Sequence, residues 1–93
     1  MKILTKHPEK GKTGRNIDKE TYGMFRRAFI QGFGNKKEMP FMELLNSVEK
    51  RLKGKFYGSI PWYFETLKLD LEARKIIERV PNSNPQVLKL RRK

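Results

Sequence analysis

Aromatic residues recur at helical spacing in the first half of the chain, where Tyr22, Phe25, Phe29 and Phe33 fall on one stripe and leave Arg27 outside it. Asp18 stands just before the stripe with a carboxylate able to accept from the free amides of a first turn, and Ile17 is placed to pack on Tyr22 as a hydrophobic staple. Gly34 suits a left-handed C-terminal cap. Together these signals predict a first helix from Asp18 to about Gly34. A second periodic run begins near Pro40, a residue that fits a first turn, and carries Phe41, Leu44, Leu45, Val48 and Leu52 on one side. Its other side holds Glu43, Asn46, Lys50 and Lys53, and Gly54 ends it. The turn KFYGS then offers Ser59 as the cap of a third helix, from Ile60 to about Arg74, whose inner stripe is Ile60, Tyr63, Phe64, Leu67 and Leu71.

Beyond the third helix the period changes. KIIERV reads as a strand, PNSNP has turn chemistry, and QVLKLRRK reads as a second strand with Leu88 and Leu90 on one face and Val87, Lys89 and Arg91 on the other. Residues 1–16 mix Lys, Gly, Thr and Pro without a period, so Ile3 and Leu4 make at most a short strand ahead of a mobile basic loop. The expected organisation is a basic N-terminal extension over residues 1–16 and one domain over residues 17–92, mainly α within the α+β class. Its expected core is Tyr22, Phe25, Phe29, Phe41, Leu44, Leu45, Val48, Leu52, Phe64, Leu67, Leu71, Ile77, Leu88 and Leu90.

With 93 residues the chain has room for one domain, and its 37% hydrophobic content with one Trp, three Tyr and six Phe suffices for a single core. The absence of cysteine excludes disulfides and thiolate metal sites. MKILTKHPEK lacks the apolar run of a signal peptide or membrane span, so a cytoplasmic protein with no membrane partner is expected. GKTG at Gly11–Gly14 fails as a phosphate loop, because Lys6 occupies the place of the first glycine and no hydrophobic strand leads in. His7 is the only histidine and precedes a proline. Ser47, Ser59 and Ser83 have no histidine base at a recognisable spacing, and Glu65 and Asp70 lie about 140° apart on a helical wheel. No catalytic residue, cofactor, metal or small-molecule substrate is therefore expected. The formal net charge of +12 draws the chain toward polyanions whatever its fold.

The order helix, helix, turn, helix, hairpin, with LDLEARKIIERVP ahead of a basic hairpin, resembles the winged helix-turn-helix superfamily over residues 17–92. In that superfamily a recognition helix commonly ends in a leucine-glutamate pair, here Leu71-Glu72. It then passes through a glycine into a strand like Ile76-Ile77-Glu78-Arg79. The whole chain, with WY-x-x-x-LKLDLEA from Trp62 to Ala73, also looks like a small bacterial family of winged-helix-like proteins. The resemblance implies three helices, a C-terminal two-stranded β-hairpin wing, a short N-terminal extended segment and DNA as a partner. Lys75 departs from the pattern by standing where glycine is usual, so the helix must close without a free left-handed residue or close elsewhere. Lys68 departs too, standing where an apolar residue often faces the core.

In such a fold the outer face of the third helix enters the major groove. Here the wheel gives that face Trp62, Glu65, Thr66, Leu69, Glu72 and Ala73, a poor reader of bases, since glutamate is repelled by phosphates. The cations lie elsewhere. The first expectation is therefore a small nucleic-acid-binding protein, of the kind a DNA-binding regulator is, that grips phosphates through Lys50, Lys53, Lys55, Arg79, Lys89, Arg91 and Arg92. Tyr57 and the loop cations Lys6, Lys10, Lys12 and Arg15 would assist. The alternative is a non-enzymatic protein-interaction or homodimerisation module using Trp62, Glu65, Thr66 and Leu69, because Trp62, Leu69 and Ala73 fall within about 40° of one another opposite the core. Burial of that stripe under the N-terminal segment is the third possibility.

Overall fold

In the computed structural model, which describes residues 1–91, Asp18 caps α1 (Lys19–Gly32) by accepting a hydrogen bond from the Glu20 amide at 3.2 Å. Gly34 takes a left-handed conformation (φ +59°) just beyond it. Pro40 sits at the N-cap of α2 (Phe41–Leu52), and the Ser59 hydroxyl accepts from the Trp62 amide at the start of α3 (Ile60–Ala73). The three helices stand where the hydrophobic periodicity puts them. Their shared interior is aromatic: Phe29 stacks on Phe64 at 4.5 Å, and Phe41 meets Phe64 edge-on at 5.2 Å. The expected core residues are buried except Phe41 and Leu90, which are partly buried against it, and Ile17, Ala28, Phe33 and Met39 join them.

Among the described residues five short strands complete the fold: β1 (Lys2–Leu4), β2 (Asn16–Asp18), β3 (Glu38–Pro40), β4 (Ile77–Arg79) and β5 (Val87–Leu90). β4 and β5 pair antiparallel, as the turn chemistry between them implies, with Ile77 opposite Leu90 and Arg79 opposite Leu88. β3, which lies between α1 and α2, adds to the other side of β5, so the sheet order is β3-β5-β4. Met39, Ile77 and Leu88 close the core from the inner face of that sheet. On the outer face Lys89 is flanked in register by Glu38 and Glu78. The architecture is a three-helix α+β domain with small antiparallel sheets.

The N-terminal segment differs from expectation. β1 leads into the basic loop as expected, but it also pairs with β2, with Ile3 opposite Ile17, so a boundary at residue 16 runs through a strand. Ile17 is buried in that hairpin beside the start of α1. Thr5 is buried too: its amide donates to the Arg15 carbonyl (2.9 Å) and its hydroxyl accepts from the Arg15 amide (2.7 Å). Gly14 runs so close that a Cβ there would collide with the Thr5 hydroxyl and carbonyl. Packing on Thr5, not phosphate binding, explains that glycine of GKTG.

Helix α3 closes without glycine because Lys75 itself adopts the left-handed conformation (φ 65°). The Ile76 amide donates to the Leu71 carbonyl (2.9 Å) and the Lys75 amide to the Glu72 carbonyl (3.1 Å), the paired bonds of a Schellman closure. A side chain in this region costs roughly 1–2 kcal/mol, partly offset by the greater chain entropy glycine loses on folding. Lys75 is exposed and has no packing to lose. Lys75→Gly should therefore raise stability by about 0.5–1 kcal/mol, seen as a thermal midpoint a few degrees higher.

Candidate nucleic-acid interface

The acids of α3 and β4 are internal counterions. Asp70 is fully buried and accepts from the Tyr22 hydroxyl (2.5 Å), the Lys6 amide (2.8 Å) and Arg74 Nε (3.0 Å). It thereby ties α1 and the N-terminal segment to α3. Glu72, which the helical wheel puts on the outer face, is instead turned inward with its side chain only 9% exposed. It pairs with the buried Lys68 at 2.9 Å and with Arg79 Nε at 2.6 Å. Glu65 lies 3.8 Å from Lys68, and Glu78 lies 3.8 Å from Arg91. Lys68 does face inward, with its ammonium 5.8 Å from the centre of the Phe41 ring, and two glutamates make that burial tolerable.

Burial, reinforced by the hydrogen bond to Asp70 and the charge of that carboxylate, pushes the Tyr22 phenol up to about 12 from an ordinary 10.0. The fold thus favours the neutral phenol. Its contribution to stability is complete below the ordinary value and is lost as pH rises from about 10 through about 12. The urea midpoint of the parent should fall across that window more steeply than that of Tyr22→Phe, which has no phenol to ionise. Equal pH profiles for the two proteins would contradict the assignment.

This pairing divides the cations expected at a phosphate interface. Arg79 lies on the inner face of the sheet, held by Glu72. Lys89 stands between Glu38 and Glu78 in register, and Arg91 is near Glu78. Arg79 and Arg91 are therefore paired with acids, Lys89 has acids as strand neighbours but none within 4.0 Å among the described residues, and Arg92 lies outside the described residues. Lys50, Lys53 and Lys55 differ from Arg79 and Arg91: all three are exposed, and among the described residues none has a carboxylate within 4.0 Å. Lys50 and Lys53 line an open groove of about 670 Å³ together with Asn46, Glu49, Phe56 and Ile60. Tyr57, 90% exposed, projects from the same α2–α3 turn, its hydroxyl donating to the Gly54 carbonyl at 3.1 Å.

The residues expected at a protein interface are also divided. Trp62 is 47% exposed, and it lines a groove with Thr66 and Leu69 whose opposite wall is the N-terminal loop. Glu65 does not line it. The N-terminal segment therefore covers α3 in part, flanking its outer face and leaving Trp62 half open. Sequence reasoning missed the role of Asp70, whose one local signal was Arg74 four residues on, at ion-pairing distance along a helix.

What these features define is a small α+β domain in which Asp70 and Glu72 are paired within the fold and Lys50, Lys53 and Lys55 stand exposed without an ion pair among the described residues. The chain belongs to the Family of unknown function (DUF6958), whose model it matches over residues 2–88. No curated protein and no solved structure matches it. Among the described residues no helix is long and apolar enough to cross a membrane.

Proposed function

We propose that this chain is a non-enzymatic nucleic-acid-binding domain of winged helix-turn-helix type that grips phosphates through the α2–α3 turn. The observation that carries the proposal is the separation of charge. Acids pair with Lys68 and Arg74 of α3 and with Arg79 and Arg91 on the sheet side, while Lys50, Lys53 and Lys55 stand exposed without an ion pair among the described residues. The winged-helix part is supported by the order of the three helices and by the antiparallel β4–β5 pair that follows them, while the strand β3 between α1 and α2 lies outside the expected two-stranded wing. Lysines that meet phosphates position a partner without reading its sequence, so weak sequence preference belongs to the proposal. A protein-interaction role for the outer face of α3 has less support, because Glu65 does not line the groove beside Trp62 and cations do.

Three lysines that each displace one counterion from duplex DNA give a slope of about −2.7 in log K against log salt. Affinity for a mixed-sequence duplex should then fall roughly fortyfold between 50 and 200 mM salt, and more steeply if the loop cations contribute. Fluorescence anisotropy of a labelled duplex measures it. No binding at the lower salt, or a slope near zero, would contradict the proposal.

A further inference from the structure

The α2–α3 turn accounts for a phosphate grip but gives Trp62 no role. That indole is half exposed at the start of α3, in edge-on contact with Tyr63 at 4.8 Å, and it forms one wall of a groove of about 400 Å³ with Thr66 and Leu69. The opposite wall carries Lys6, Lys12 and Arg15, and no carboxylate lines the groove. Lys12 is held by Glu9 at 2.6 Å, whereas Lys6 and Arg15 have no acid within 4.0 Å among the described residues. The backbone that carries Lys6 and Arg15 is fixed in place, since the Arg15 amide is bonded to the Thr5 hydroxyl and the Lys6 amide to Asp70.

The loop also changes what α3 can enter. A helix with its side chains is about 10–12 Å across and fills a major groove about 12 Å wide, so α3 with a second layer of chain along its outer face is too broad for that groove. A cleft with one aromatic wall and one cationic wall matches a different form of the same polymer. Single strands are held where bases stack on aromatic side chains and phosphates follow a basic track. A second copy of this chain is a poor occupant, because at +12 it would bring cations to cations.

Resting on the nucleic-acid reading above, we infer that the groove between α3 and the N-terminal loop holds an unpaired base of single-stranded nucleic acid stacked on Trp62, with Lys6 and Arg15 meeting its phosphates. The test is anisotropy of a fluorescein-labelled oligothymidylate of about eight nucleotides, a length within the usual site sizes of single-strand binders. Trp62→Ala should weaken binding roughly tenfold or more, and Trp62→Phe should recover much of the loss because it restores a stacking ring. Arg15→Gln should reduce the salt slope by about 0.7. In the parent, the strand should quench the emission of the single tryptophan, while an abasic strand of equal length and a polyglutamate of equal charge should not.

Several results would overturn the inference. One is an affinity unchanged in Trp62→Ala; another is polyglutamate competing as well as the oligonucleotide, which would point to an acidic protein partner. A third is tryptophan emission that shifts with protein concentration alone, the mark of self-association. The broader reading fails separately. If the strand binds and Lys50→Gln/Lys53→Gln/Lys55→Gln weakens it while Trp62→Ala does not, only the base site is lost. If the parent binds neither strand nor duplex, both readings are lost.

Discussion

Replacing Asp70 by alanine should cost about 3–5 kcal/mol, the range for removing one partner from a buried, hydrogen-bonded charge pair. The side chain is fully buried, and its donors come from three parts of the chain: the Lys6 amide, the Tyr22 hydroxyl and the Arg74 guanidinium. Alanine leaves the Tyr22 hydroxyl buried without its acceptor, at a desolvation cost, and takes the counterion from an arginine that is itself partly open to water. Domains of this size have total stabilities of roughly 5–15 kcal/mol, so the variant should stand close to unfolding. Urea denaturation measures the loss, and hydrogen exchange should show the Thr5 and Lys6 amides losing protection first. A urea midpoint within a few tenths of a molar of the parent would mean that the cluster is not the tie between the N-terminal segment and α3.

The parts of the fold that repeat locally are legible in the sequence. Periodicity and caps place all three helices, because stripes such as Tyr22, Phe25 and Phe29 depend only on the helical repeat. The β4–β5 hairpin is legible from the PNSNP turn. β3 is not, since three residues ending in Pro40 carry no alternation, and they form a strand only because β5 supplies the pairing. β2 is hidden for a similar reason: Ile17 reads as a helix staple until Ile3 arrives opposite it. The wheel gives each residue of α3 a direction but not a neighbour. Glu72 therefore reads as an outer acid, although Lys68 and Arg79 draw it in. The same limit affects the candidate site, where Lys50, Lys53 and Arg79 look alike as sequence and differ only in which acids the fold brings to them.

That difference supports the second large effect. Each lysine-phosphate contact contributes about 0.9 to the salt exponent, or about eightfold in affinity at 0.1 M salt, so removing three should weaken duplex binding on the order of several hundredfold. The triple variant Lys50→Gln/Lys53→Gln/Lys55→Gln should show this loss while staying folded, because all three side chains are exposed and among the described residues none is in an ion pair. Its salt slope should fall by about 2.7.

The most direct measurement sets that protein beside a second one, Arg79→Gln/Lys89→Gln/Arg91→Gln, which gives up the same formal charge from the sheet side. Circular dichroism establishes that both are folded, and anisotropy at 0.1 M salt gives their affinities for one mixed-sequence duplex. The expected loss is on the order of several hundredfold for the α2–α3 turn variant and less than about tenfold for the sheet variant, in which Arg79 and Arg91 already have acidic partners and Lys89 stands between two glutamates in register. Equal losses would mean that affinity follows net charge alone, and a larger loss from the sheet variant would place the contact on the hairpin; either result would contradict a phosphate grip at Lys50, Lys53 and Lys55.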